Sequence, residues 1–232
     1  MHAYMPQKAK TVILSLGGSL IVPEEIDTEF LKKFRALILE FIQKGNRTAI
    51  ICGGGKTCRN YYAAAEQVAK IKETDFDWIG IASTRLNAEL VRSIFGTVAH
   101  DKVIDNYDKP VKIKKSIVIG CGHRPGHSTD FDAVLMANSL KAKEIVNLSN
   151  IDYVYDKDPR KFPNAKPFKE LKWNDLLKLT KAWKTGMHTP FDPEAAKLAK
   201  KSKLKVFIVN GNNLGNVRNV LEGKQYIGTR IS

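Results

Sequence analysis

Short runs rich in Val, Ile and Leu, two of them running directly into glycine, constrain this chain more than any other feature. Residues 11–16, 47–51, 116–119, 144–148 and 206–209 are such runs. They are too short for helices and rich in β-branched residues, so each reads as a buried strand. Between the first two, Phe30, Leu31, Phe34, Leu37, Ile38, Phe41 and Ile42 repeat at helical spacing. Asp27 or Thr28 is placed to cap that helix, and Gly45 to end it. Strand and helix alternating at this pitch build right-handed βαβ units on a mostly parallel sheet with helices on both faces. The expected fold is therefore α/β, a three-layer α/β/α sandwich. The 232 residues, 43% of them hydrophobic, suffice for one such domain or two closely fused lobes meeting near residue 150. No repeat, low-complexity tract or linker interrupts it, and residues 159–167 read as a surface hairpin.

Composition narrows the setting. No apolar run approaches the roughly 20 residues of a membrane-spanning helix, and residues 1–10 lack the apolar stretch of a secretory signal. Cys52, Cys58 and Cys121 form no CxxC pair, which fits a reducing, cytoplasmic setting and no membrane partner. The net charge of +14 is compatible with nucleic-acid binding. However, lysines such as Lys197, Lys200, Lys201, Lys203 and Lys205 are scattered along helices without interleaved aromatics. They read as a solvated surface, and no nucleic-acid partner is expected.

Parallel sheets bind ligands at the C-terminal ends of their strands. Here the first strand runs into Gly17-Gly18-Ser19, and the second into Gly53-Gly54-Gly55-Lys56 ahead of a helix carrying Arg59. The third runs into GCGHRPGHSTD, residues 120–130. Glycine turns let backbone N–H groups approach phosphate oxygens, and a helix N-terminus with a guanidinium reinforces the site. No GxxxxGK[ST] loop occurs, nor a GxGxxG in dinucleotide-site surroundings, nor a GxSxG elbow. His123 and His127 flank Pro125-Gly126, but zinc would need further ligands that the sequence does not reveal, so no metal site is expected.

These turns, in this order, resemble the amino-acid-kinase superfamily. So does NLSNIDYVYDKDPRKFPNAKPF, in which Asn150, Asp152, Tyr155 and Asp158-Pro159 match the family's nucleotide loop. The resemblance runs to Gly228-Thr229. Within the family, DFDWIGIASTRLNAEL, PGHSTDFDAVLMA and FDPEAAKLAKKSKLKVFIVNG resemble the archaeal-type UMP kinase branch. The resemblance implies phosphoryl transfer from ATP, with Mg²⁺, to UMP, in an assembly of six copies. The N-lobe, about residues 1–148, would face the acceptor, and the C-lobe, about 149–232, would face ATP.

Residue by residue, Gly17 and Gly18 would line the γ-phosphate, with Arg59 sharing the catalytic role. Gly55 and Arg59 would meet ATP phosphates, and Ser149, Asn150, Tyr155 and Asp158 its adenosine. Gly54 and Asp77 would meet UMP, the latter at the ribose, unless Asp77 merely complements a helix dipole. Gly122, His123, Arg124, Pro125, Gly126, His127, Ser128 and Thr129 would wrap UMP. Asp130 reads equally as the cap of the next helix.

Three departures stand out. Family lysines are absent at Ser15 and Thr189, leaving Lys56 and Lys184 as substitutes. Tyr153 stands where glycine is usual, so its backbone is either ordinary or altered.

Overall fold

The computed structural model describes residues 9–111, 114–181 and 190–232; Lys184 and Thr189 lie outside them. The first half of the chain forms β1 (Thr11–Leu16), α1 (Gly18–Ile21), α2 (Thr28–Gln43), β2 (Arg47–Cys52), α3 (Gly55–Val68), α4 (Glu73–Phe95), β3 (Ile117–Gly120), α5 (Thr129–Ser139) and β4 (Glu144–Ser149). There follow β5 (Val154–Tyr155), β6 (Pro167–Phe168), β7 (Glu170–Leu171), α6 (Trp173–Lys181), α7 (Pro193–Lys201), β8 (Lys205–Asn210), α8 (Leu214–Glu222) and β9 (Thr229–Ile231).

Seven strands make one sheet in the order β3-β2-β1-β4-β8-β9-β7. All its pairs are parallel except β8–β9. The register places Leu14 opposite Ile50 on one side and Val146 on the other. Alternation along β1 explains the layers, because successive side chains point to opposite faces. Val12, Leu14 and Leu16 pack with Phe34, Ile38 and Val217 from α2 and α8, and with Val91 from α4. Ile13 packs on the opposite side with Ala133, Leu176 and Ala196 from α5, α6 and α7. A strand buried on both faces must be apolar at every position, which is why these strands are continuous apolar runs. Ser15 is the exception in β1.

Local signals explain the helix boundaries. The Asp27 carboxylate accepts the Phe30 N–H at 2.8 Å and starts α2, and Gly45 turns the chain away at φ +82°. Asp192 caps α7, with Pro193 following at the first helical position. Ser128, not Asp130, caps α5: its hydroxyl accepts the Phe131 N–H. The expected hairpin is present, since β5 and β6 pair antiparallel and bracket residues 156–166. Tyr153 does not have a positive φ, so tyrosine fits there on ordinary backbone.

Candidate active site

The first two glycine turns are pressed together at the C-terminal ends of β1 and β2. A Cβ on Gly18 would lie 2.1 Å from the Gly55 nitrogen, and one on Gly53 would lie 2.6 Å from the Gly18 nitrogen. No L-residue with a side chain fits there, so glycine at both positions is dictated by contact between two main chains. Gly55 also holds φ at +65°, which adds a conformational reason for glycine. The Lys56 N–H donates to the Val22 carbonyl at 2.9 Å and ties the two turns together. The N–H groups of Gly18 and Gly55 find no acceptor among the described residues. Gly18 is buried, and buried amides are almost always paired. The buried Gly18 amide at the start of α1 and the half-buried Gly55 amide at the start of α3, a fourteen-residue helix, together make a site suited to an anion.

Cations stand at the same corner. Arg59 is exposed and donates to the Ser19 hydroxyl at 3.2 Å and the Pro23 carbonyl at 3.3 Å. Lys56 pairs with Glu24 at 2.8 Å.

α4 anchors the turns after β2 and β3. Asn87, 3% exposed, donates to the carbonyls of Gly53 at 2.8 Å and Gly54 at 3.1 Å. Thr84 accepts the Gly122 N–H at 2.8 Å. Asp77 accepts the Gly126 N–H at 2.8 Å, where Gly126 sits at φ +78°. Asp77 therefore holds the third turn, which is more than a helix-dipole role. Sequence reasoning passed over Thr84 and Asn87. Their three-residue spacing put both on one helix face, yet polar residues on an amphipathic helix ordinarily face water.

Beneath the first turn, Asp130 accepts from the Ser15 hydroxyl at 3.2 Å, the Asn147 amide at 2.8 Å and the Asp192 N–H at 3.2 Å. Burial pushes its carboxyl up to about 6, and those hydrogen bonds oppose the rise. Ser15 is thus a buried hydrogen-bond donor, without open space beside it.

Of the residues assigned to adenosine, Ser149 lies beside the first turn, since the carbonyl of Leu148 before it accepts the Gly17 N–H at 3.0 Å. Ser149 ends β4, where its hydroxyl accepts the Ile151 N–H. Tyr155 lies on the β5–β6 hairpin, its ring edge-on to Tyr153 at 6.3 Å. The Asp158 carboxylate is engaged by Arg160 at 3.2 and 3.3 Å, which holds it below the usual carboxylate range. Among the described residues no hydrogen bond joins Tyr155 or Asp158 to the glycine corner. In the third turn, His123, His127 and Asp132 each bring a potential ligand atom within 4.8 Å of the others.

Comparisons with known proteins agree with this architecture. The model of the amino acid kinase family matches residues 10–210. The uridylate kinase of Thermococcus kodakarensis is 35% identical over 218 residues, spanning 92% of this chain and 96% of that protein. The crystal structure of uridylate kinase from Archaeoglobus fulgidus superposes with a TM-score of 0.83 at 33% identity, covering 95% of this chain and 99% of that one. An aspartate kinase from Synechocystis shares the fold at 15% identity, with a TM-score of 0.72.

Proposed function

The chain belongs to the amino acid kinase family, and we propose that it phosphorylates UMP at the expense of ATP, giving UDP and ADP for pyrimidine nucleotide synthesis. The observation that carries this reading is the pair of unpartnered amides at Gly18 and Gly55, beside Arg59, in a chain 35% identical to a uridylate kinase.

In this reaction a UMP phosphate oxygen attacks the γ-phosphorus of ATP, and the bond to the ADP oxygen breaks. The protein has little covalent chemistry to perform, because the acceptor is already anionic at neutral pH. It must align two polyanions and neutralise charge on the group in flight. Gly18 and Gly55 would offer their N–H groups to the γ-phosphate, Gly17 would line it without donating because its N–H is taken by the Leu148 carbonyl at 3.0 Å, and Arg59 would leave Ser19 and Pro23 to bind it. Donors at this corner are amides, a guanidinium and an ammonium, which suit phosphate oxygens. The nearby carboxylates are engaged, Glu24 by Lys56 and Asp130 by its three hydrogen bonds. Mg²⁺ would accordingly arrive with ATP and neutralise charge on its phosphates, with no carboxylate of this corner left unengaged to hold it. Gly54, Asp77 and the turn from Gly122 to Thr129 form the acceptor site, with α4 fixing its distance from the donor corner. Ser149, Asn150, Tyr155 and Asp158 receive the adenosine.

We further read the working molecule as a cytoplasmic assembly of six copies. No described helix is long and apolar enough to cross a membrane, and the three cysteines are free. None of the α3 residues is buried, and Tyr61, Val68, Trp78 and Leu86 on α3 and α4 are all more than half exposed, an apolar surface suited to another copy.

The deciding experiment is ADP release from ATP and Mg²⁺ in the presence of UMP, CMP, acetylglutamate, aspartate or isopentenyl phosphate. Stimulation by UMP alone is expected. A second reading, nucleotide binding without transfer, draws on Ser15 standing where a lysine is usual. UMP binding without ADP release would favour it and refute transfer.

A further inference from the structure

Outside the phosphate corner, Asp132 is the one carboxylate among the described residues whose two oxygens are both buried without a partner. It is 0% exposed, and apart from a loose approach by the His123 main-chain N–H neither carboxylate oxygen has a hydrogen-bond partner. A carboxylate taken from water without a partner is costly, and such groups persist where something supplies a charge. Directly above it lies a second orphan, the buried Nδ1 of His123. The other ring nitrogen of His123, Nε2, is 3.6 Å from the Asp108 carboxylate. His123 therefore has one nitrogen near an acid and the other buried without a partner, and one of its ring nitrogens lies within 4.8 Å of an Asp132 oxygen. His127 completes the group, its ring packed on Phe131 at 4.1 Å.

We propose that His123, His127 and Asp132 form a site for one divalent transition-metal ion of the zinc type. The ion would pin the turn between β3 and α5 onto the first turns of α5.

Two imidazoles and a carboxylate are a donor set for zinc, cobalt or nickel, whereas Mg²⁺ prefers an all-oxygen shell. This ion is thus distinct from the Mg²⁺ of ATP. The three ligand atoms lie within 4.8 Å of one another, while tetrahedral zinc needs roughly 3.3 Å between ligands. Binding would draw the three ligand atoms inward, and His127, the partly exposed ligand on the turn, is free to rotate toward the other two. That rotation gives up the long 3.4 Å contact donated by Arg124 to its Nδ1, and Arg124 retains Asp108 at 3.7 Å. Water supplies the fourth position. Asp108 plays the part of the carboxylate that orients a metal-bound histidine and raises its basicity. Sequence reading found no third ligand for the histidines because Asp132 looks like an ordinary first-turn helix acid. Only the fold shows it turned inward.

The site does not depend on which acceptor is phosphorylated, so its test omits nucleotide. Full-length chain without a histidine tag is stripped with chelator, desalted and titrated with Co²⁺. One Co²⁺ per chain with the intense visible bands of four-coordinate cobalt is expected, displaced by Zn²⁺ and unaffected by excess Mg²⁺. Asp132→Asn and His123→Ala should abolish the bands. Asp108→Asn should keep them but weaken binding about 10- to 100-fold. If either core variant fails to fold, His127→Gln, at a partly exposed position, should still lose the bands. Binding below one ion per chain, or bands that survive loss of a ligand, overturns the proposal.

Discussion

Replacing Asp130 with asparagine probes the network beneath the phosphate corner, and the structure sets both sign and size. The buried carboxyl titrates near 6 instead of 3.8, so the folded chain holds its proton more tightly than the unfolded chain does. A raised carboxyl pKa means that stability is lost as pH climbs from about 4 to 6. At about 1.4 kcal/mol per tenfold, that loss approaches 3 kcal/mol. In Asp130→Asn the side-chain oxygen still accepts from Ser15 and Asn147. The amide, however, opposes the Asp192 N–H, which costs about 1–3 kcal/mol at any pH. Below pH 4 the variant should therefore be less stable than wild type. By pH 7 it should have recovered about 3 kcal/mol relative to wild type, ending level with it or up to about 2 kcal/mol more stable. Urea midpoints of both proteins at pH 3.8, 5 and 7, at one protein concentration, measure the difference while cancelling every other titration. A difference that stays constant with pH would show that Asp130 is not held protonated by its surroundings, and the reasoning fails.

The remaining expectations address the corner and the third turn. Arg59→Ala should lower kcat/KM for UMP phosphorylation by about 10²–10³-fold, the scale of one charged transition-state contact, with a stability change within about 0.5 kcal/mol because the side chain is exposed; near-normal turnover would remove Arg59 from the site. Gly18→Ala should cost more than about 3 kcal/mol of stability, since its Cβ meets main chain at 2.1 Å. An ordinary helical glycine-to-alanine change stabilises instead, so a raised Tm refutes the turn-to-turn contact. Asp77→Asn weakens the anchor on Gly126 by about 1 kcal/mol, raising KM for UMP about 5-fold with KM for ATP unchanged; equal shifts would mean that the third turn does not serve the acceptor.

Periodicity alone delivered β1, β2, β3, β4, β8 and α2, because a strand covered on both faces is largely apolar and a surface helix is apolar at one face, whereas the two- and three-residue strands β7 and β9 are too short to show a pattern. The glycine turns were legible for a similar reason: Gly18 and Gly55 touch through their backbones, and nothing else fits. What stayed hidden were the polar side chains that hold those turns. Asn87 reaches Gly53 across 34 residues, and Thr84 reaches Gly122 across 38. A hydrophobic pattern reports which face is buried, but it does not report which buried polar atom meets which. Asp130 shows the limit most clearly. Local sequence allowed a helix cap, yet Ser128 takes that part, and the carboxylate serves β1, β4 and the start of α7 instead.

That network also bears on the lysine missing from position 15. A lysine there would stand against Asp130, and the pair would be close to neutral. With Ser15 in its place, an ordinary carboxylate would leave an unopposed negative charge two residues from the turn that receives phosphate. Burial raises the carboxyl toward neutrality and reduces that penalty. Phosphate arriving at Gly17 and Gly18, as the proposed reaction requires, would bring further negative charge, raise Asp130 again and favour its proton. Cation and anion are therefore diminished together at this position. On the proposed reaction, positive potential for the transferred group would then fall to the amides of Gly18 and Gly55, the start of α3 and Arg59, none of which hydrogen-bonds Asp130.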